Sequence, residues 1–344
     1  MMAYSGDRDN TVAGAAAGIG ARVLVTGGAG YIGSHTCKAL HLAGYVPVVL
    51  DSLVAGHRKF VRWGPLVGAD IRDTGEVVAA IKRYGVTSVV HFASLIAVGE
   101  SVSDPALYYD VNVAGTLSLL RAMRQTGVQR IVFSSSAAVY GMPQAAALNE
   151  AHVLNPVNPY GWSKYMAERM LQDHAGAYGL RYLALRYFNA CGADAAAELG
   201  ECHSPETHLI PLAIAATHPG GKPLQVFGRD YDTPDGTCVR DYVHVSDLAA
   251  AHVAALRMLD QGHGNQAWNV GTGRGHSVLE IIAAIEAATG RPVRAEYAGR
   301  RPGDPPRLVA DASLIQQQTT WRPQHSSIGN IIATAWAWHQ GRPT

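Results

Sequence analysis

Cysteine is scarce in this chain of 344 residues: four residues, Cys37, Cys191, Cys202 and Cys238, are scattered without a C-x-x-C pair. That spacing excludes a disulfide framework and a closed cysteine zinc site, and it reads as reduced thiols in a cytoplasmic protein. Cys202, His203 and His208 lie close in sequence but match no closed zinc pattern, so no metal is expected. Charge of one sign is also lacking. The 28 Lys and Arg against 27 Asp and Glu give a net charge of +1, and no basic run marks a nucleic-acid partner. No apolar run approaches the length of a membrane span. Residues 1–20 lack a positive start followed by an apolar core, so they fail as a signal peptide and read as a flexible tail. Internal repeats are absent as well.

What is present suits one large domain or two modest ones with a sizeable core, since 48% of residues are hydrophobic and 16% charged. Short β-branched runs (Val23–Val25, Val46–Leu50, Ser88–Phe92, Arg130–Phe133, Tyr182–Leu185) alternate with helix-like stretches (Ser34–Leu42, Gly75–Tyr84, Pro105–Gln125, Pro159–Tyr178). This order predicts an α/β fold, a Rossmann-type doubly wound parallel sheet. Pro47 predicts an irregular start to the second strand. After Asn189 the chain turns to long Gly- and Pro-rich loops, with helical signals returning at Ser246–Leu259, capped by Ser246 or Asp247, and at Ser277–Ala288. The expected organisation is a nucleotide-binding domain over 21–190 with a returning segment near 242–268. A smaller α/β lobe takes 191–241 and 269–340, its loops doing the recognising.

TGGAGYIG, Thr26 to Gly33, joins the first strand to the first helix. Its glycines fit G-x-G-x-x-G (Gly28, Gly30, Gly33) and G-x-x-G-x-x-G (Gly27, Gly30, Gly33). Such residues allow a sharp turn, close approach of a pyrophosphate and tight packing of helix on sheet. The helix N-terminus adds free N–H groups and a partial positive charge. A glycine-rich turn alone is a common structural device, but here the second strand ends in Asp51, whose carboxylate suits the adenosine ribose hydroxyls. That acid repels a 2′-phosphate, and no arginine follows it immediately, so NAD is favoured over NADP.

Asn158-Pro-Tyr-Gly-Trp-Ser-Lys164 reads as a helix start, with Asn158 the cap and Pro159 the first helical residue. Tyr160 and Lys164 then share one face. An ordinary tyrosine titrates near 10, and bringing it to 7 takes about 4 kcal/mol of preferential phenolate stabilisation. A nearby ammonium supplies one to three of the roughly three units required. An aromatic–lysine pair on a solvated face is the plain alternative. Phe133-Ser134-Ser135-Ser136 ends a strand where α/β sheets bind ligands. Ser136 is the candidate catalytic hydroxyl; Ser135 and Ser134 suit turn or cap roles, with Ser134 also kept beside the cofactor.

TGGAGYIGSH, HFASLIAVGES, FSSSAAVYG, NPYGWSK, RYFNACGAD, VRDYVHVSDLA, VFGRDYDTPDGT and RRPGDPP together make the chain resemble the UDP-glucose 4-epimerase family, extended short-chain dehydrogenases/reductases, from Ala21 to the C-terminal region. The resemblance implies NAD held by Gly27, Gly30, Tyr31, Ile32, Gly33 and Asp51, with Asp70 and Ile71 at the adenine. Phe92, Ala93, Asn112, Ser134 and Tyr187 would lie along the rest of the cofactor. It implies Tyr160 as base and acid, Lys164 as its electrostatic partner and nicotinamide-ribose ligand, and Ser136 as partner of the sugar hydroxyl. UDP would meet Asn189, His208, Leu209, Val226, Phe227, Arg240, Arg301 and Asp304. Arginine forks suit a diphosphate and an acid suits ribose hydroxyls.

The implied reaction interconverts UDP-glucose and UDP-galactose by transient oxidation at C4, in a protein that is commonly a homodimer. The long helices 105–125 and 159–178 either pair with their copies or pack internally. Three positions depart from the family pattern: Ile96 for lysine, Ala138 for threonine and His208 for asparagine. Leu308 stands where relatives tune room for the sugar C2 substituent, and its bulk favours sugars that are not N-acetylated. A UDP-xylose/arabinose 4-epimerase shares the machinery and stays open. A dehydratase needs acid–base groups where Ala137 and Ala138 stand. A silent NAD-binding protein has no need of an intact Ser136, Tyr160 and Lys164.

Overall fold

The computed structural model describes residues 20–301 and 303–341, so the tail read over 1–20 lies outside the described residues but for Gly20. The first half builds β1 (Arg22–Thr26), α1 (Tyr31–Leu42), β2 (Val46–Asp51), β3 (Leu66–Gly68), α2 (Thr74–Tyr84), β4 (Ser88–His91), α3 (Val98–Ser103), α4 (Pro105–Tyr108), α5 (Gly115–Thr126), β5 (Arg130–Ser136), α6 (Pro159–Tyr178) and β6 (Arg181–Tyr187). Then come β7 (Asn189–Cys191), α7 (Leu209–Ala216), β8 (Leu224–Phe227), β9 (Val239–His244), α8 (Val245–Asp260), β10 (Gln266–Val270), β11 (Gly275–Ser277), α9 (Val278–Thr289), β12 (Ala295–Ala298), β13 (Arg307–Leu308), α10 (Ser313–Gln318) and α11 (Ile328–Gln340).

Seven strands form one sheet in the order β10-β6-β5-β4-β1-β2-β3, every pairing parallel. Successive side chains of β1 go to opposite faces, as strand geometry demands. Val23 and Val25 join a core with Leu40 of α1, Leu248 and Leu256 of α8, and Trp268 of β10. Leu24 joins another with Val77 and Ile81 of α2, Leu119 and Met123 of α5, and Leu171 of α6. Helices thus cover both faces of a doubly wound sheet. A third core gathers Ile210 and Ile214 of α7, Ile281 and Ile285 of α9, and Ile331 and Ile332 of α11 against Tyr242 of β9 and Val226 of β8. There β9 pairs with β7, β11 and β13, and β8 pairs with β12.

Three local expectations are corrected. The stretch 105–125 is not one regular helix: a π-helical segment, Tyr109–Ala114, separates α4 from α5. Neither Ser246 nor Asp247 caps α8; His244 does, its Nδ1 accepting from the Ser246 N–H at 3.0 Å. Asp247 is engaged elsewhere, accepting from Gln324 N (3.0 Å), His325 N (2.9 Å) and Ser326 Oγ (2.6 Å). Finally, β2 runs unbroken through Pro47, which stands opposite Val23. Val49 N donates toward β3, to Pro65 O. Pro47, two residues earlier, faces the same side, but pairing with β3 begins only at Val49. Its missing N–H therefore faces no ladder.

Candidate active site

The β1–α1 turn is shaped by crowding. Gly27 has φ +72°, and a Cβ there would lie 2.6 Å from Ala93 N. A Cβ on Gly33 would lie 2.2 Å from Gly27 O. Any larger residue would displace backbone, so the chain needs glycine at both. Gly30 caps α1 without a side-chain hydrogen bond, leaving the first N–H groups of the helix for an anion. Tyr31 opens the helix, buried, and its hydroxyl donates to Gly192 O at 2.5 Å. Ile32 packs on the core under the sheet.

At the end of β2 Asp51 is buried and fixed: Oδ2 accepts from Ala29 N at 2.9 Å and Oδ1 from Leu53 N at 2.8 Å. Asp70 accepts from Arg72 through its backbone N–H and guanidinium, which holds the carboxyl below its usual range. Ile71 beside it is buried. Phe92 N and Ala93 N both donate to Thr26 O at the end of β1. A narrow glycine turn, an open helix N-terminus and a fixed acid one strand away fit a dinucleotide.

Across the carboxyl edge of the sheet, β5 delivers Ser134 and Ser136, and α6 delivers Tyr160 and Lys164. The start of α6 follows local chemistry: Asn158 Oδ1 accepts from Gly161 N at 2.8 Å, and Pro159 needs no partner in the first turn. Lys164 is buried, with Nζ donating to Ser94 Oγ (2.8 Å) and Ser134 O (2.9 Å). Its ammonium lies 5.9 Å from the Tyr160 ring centroid. Burial pulls Lys164 down to about 7, against the Glu168 carboxylate. Burial pushes the Tyr160 phenol up, and its hydrogen bond with Ser136 acts in the opposite sense. Packing alone therefore moves the phenol away from neutrality, and the lowering that base chemistry requires must come from positive charge. Ser136 also caps the short turn after β5, accepting from Ala138 N at 3.2 Å.

Other expected residues meet as follows. Asn112 lies in the π-helical segment; its Oδ1 accepts from Leu95 N (2.8 Å), and its Nδ2 donates to Leu95 O (3.0 Å) and Ser163 Oγ (2.9 Å). It clips the loop after β4 to α6. Tyr187 and Ser134 share a hydroxyl contact of 2.5 Å. Ile96 is exposed. Arg240 on β9 donates to Asp304 at 2.5 Å and to Val239 O at 2.8 Å. The Arg301 guanidinium stacks 3.9 Å from the Phe227 ring centroid. Val226 is buried beneath. Asn189 pairs opposite Tyr242 at the start of β7. Leu209 opens α7 behind His208, whose Nδ1 faces Glu201 (2.7 Å) and Glu206 (3.1 Å). Burial opposes that histidine's charge, but the two carboxylates outweigh it and push His208 up to about 10.

Sequence reasoning missed Ser94, although it stood in a quoted motif; nothing in HFAS announces a lysine partner. It missed the buried Arg186–Glu168 pair behind the site (2.6 Å), with Ser135 donating to Glu168 at 2.5 Å. It also missed Asp241 on β9, which accepts from Thr272, Gly273 and Ala310 and ties two loops to that strand.

Residues 23–271 match the model of the NAD dependent epimerase/dehydratase family. A UDP-glucose 4-epimerase of Rhizobium leguminosarum bv. trifolii is 50% identical over 93% of this chain and 98% of its own length. The crystal structure of a UDP-glucose 4-epimerase from Brucella ovis in complex with NAD superposes with a TM-score of 0.90 at 52% identity, over 92% of this chain and 98% of that one. The enzyme from Bifidobacterium longum, in complex with NAD+ and UDP, gives 0.88 at 38% identity, over 93% and 98%. The chain belongs to the NAD dependent epimerase/dehydratase family, within its UDP-glucose 4-epimerases.

Proposed function

We propose that this chain interconverts UDP-glucose and UDP-galactose by inversion at C4 of the hexose, with NAD as a retained cofactor. The observation that carries the reading is the meeting of Ser136, Tyr160 and Lys164 at one sheet edge beside a glycine turn shaped for a dinucleotide. Gly27, Gly30, Tyr31, Ile32, Gly33 and Asp51 would hold the pyrophosphate and adenosine ribose, with Asp70, Ile71, Phe92, Ala93, Asn112, Ser134 and Tyr187 along the rest. Bound NAD supplies the acceptor, and then the donor, of the C4 hydride. Tyr160 takes the proton of the 4-hydroxyl and later returns it. Ser136 hydrogen-bonds the same hydroxyl and steadies the phenolate, while Lys164 stabilises it by charge. Arg240, Arg301, Asn189, His208, Leu209, Val226, Phe227 and Asp304 would keep UDP anchored, so that the sugar presents both faces to one tyrosine.

Ala137 and Ala138 offer no acid–base group beside Ser136, which speaks against elimination of water. Exposed Trp162 and Met166 on α6 and Leu107 on α4 support a homodimer built on this face. The four free cysteines support a cytoplasmic location, and no helix among the described residues is long and apolar enough to cross a membrane. The test is Tyr160→Phe: epimerisation should fall about 10²–10⁴-fold with NAD still bound. Turnover near the wild-type rate would overturn the role.

A further inference from the structure

The loop between β7 and α7 places four candidate metal ligands together. One ligand atom from each of Glu201, His203, Glu206 and His208 can be chosen so that all lie within 4.8 Å of one another. Their cross contacts are Glu201 Oε1 to His203 Nδ1 at 3.2 Å and to His208 Nδ1 at 2.7 Å. Glu206 reaches His203 Nδ1 through Oε2 at 3.6 Å and His208 Nδ1 through Oε1 at 3.1 Å. Tetrahedral zinc with bonds of about 2.0–2.1 Å places its ligand atoms about 3.3 Å apart. The separations from Glu201 Oε1 (3.2 and 2.7 Å) and from the two Glu206 oxygens (3.6 and 3.1 Å) lie on either side of that edge length. His203 Nδ1 is buried and has no hydrogen bond of acceptable geometry, although two carboxylates stand beside it. An imidazole nitrogen flanked by two carboxylates occupies a corner that a cation shared among them would require.

We propose that Glu201, His203, Glu206 and His208 form a four-coordinate site for a divalent transition-metal cation, Zn²⁺. Two carboxylates balance the ion's charge, and two imidazoles select against magnesium and calcium, which take oxygen ligands. Cys202 lies between the ligands in sequence but is not one of the four. The site would brace the loop against the nucleotide half of the protein, since the His203 ring meets Tyr31 edge-on at 6.1 Å. The His208 backbone caps α7. The ion would therefore join the first turn of α1 to the first turn of α7 through one loop.

The test uses the full chain with its bound nucleotide, stripped with a chelator and dialysed. Titration with ZnCl₂ by calorimetry, with metal content by atomic emission, should give one Zn²⁺ per chain and a higher Tm. Co²⁺ in place of Zn²⁺ should give the strong visible absorption of a tetrahedral centre, and MgCl₂ should not compete. His203→Ala and Glu206→Ala should each lose the zinc equivalent and the Tm gain, with folding checked by circular dichroism. His41→Ala, on the exposed end of α1, should keep both. Wild-type chain that takes up no zinc would overturn the proposal, and the two histidines would then be held by proton-mediated ion pairs. Zinc that stays bound after both ligand substitutions would overturn it as well.

Discussion

Replacing Lys164 by methionine keeps the length of the side chain and removes its charge. A unit charge 5.9 Å from the Tyr160 ring centroid, in an effective dielectric of about 20, stabilises a phenolate by about 2.8 kcal/mol, or about two pK units. Burial opposes the phenolate, and Ser136 returns only part of that cost. Lys164→Met should therefore move the acid limb of the pH–rate profile upward by about two units. At pH 7 turnover should fall about 100-fold, and the deficit should shrink toward alkaline pH, where Tyr160 ionises unaided. Lys164 is itself held at about 7, so the wild-type limb reports the coupled pair rather than one residue. The assay is steady-state epimerisation across the pH range, with NAD content measured on each preparation, because Lys164 is also expected to hold the nicotinamide ribose. An equal deficit at every pH, with NAD retained, would refute the electrostatic argument. So would a loss smaller than about threefold at pH 7.

Arg186→Met should leave the buried Glu168 carboxylate unpaired and cost about 3–5 kcal/mol, while adding Glu168→Leu should recover most of it. Equal Tm values for the single and double variants would contradict this. His35, His244 and His252 are buried and pushed down to about 4, and His91 to about 3. Below pH 6.5 the unfolded chain binds protons that the folded chain refuses. Stability should fall as pH drops from about 6.5 toward 4, by up to about 1.4 kcal/mol per pH unit for each histidine. In the chain stripped of metal, His203 and His208, raised to about 9 and about 10, act oppositely. Their stabilisation is complete below pH 6.5 and is lost as pH rises through those values. Urea midpoints from pH 4.5 to 10 check both limbs, and a flat curve would refute them. Leu308, half-buried against the cluster of Ala137, Phe188 and Ala310, should limit room at the sugar C2. Leu308→Ser should raise turnover of UDP-N-acetylglucosamine relative to UDP-glucose by about tenfold or more, on the scale of a reshaped pocket. An unchanged ratio would show that Leu308 does not face the sugar.

Legibility in the sequence followed the range of the interactions. Five of the seven strands of the doubly wound sheet could be read because each carries its own apolar run, whereas β3 and β10, short or broken by polar residues, take their place only by pairing with β2 and β6. Asn158 and Pro159 set the start of α6 to the residue because cap and proline act within one turn. The cap of α8 was misread because Asp247 is claimed by residues 324–326, some 77 positions on. The π-helical segment carrying Asn112 also escaped, since its geometry serves contacts to Leu95 and Ser163 rather than local preference. The tyrosine–lysine pair was legible from i, i+4 spacing. The second anchor of the lysine, Ser94, was not, because a strand crossing brings it near. The histidines of the β7–α7 loop were noticed, but attention to cysteine hid Glu201 and Glu206, which complete the group.

The outermost strand of the nucleotide-side sheet has a consequence for how the polypeptide can be divided. Residues 266–270 lie against β6 and bring the fully buried Trp268 with them. A fragment stopping at residue 191 would leave β6 as a bare border, with its hydrogen-bonding groups unpaired and the tryptophan's berth open to water. The two halves are thus sewn through one another, and neither can be borrowed as a free-standing module without restitching that last seam.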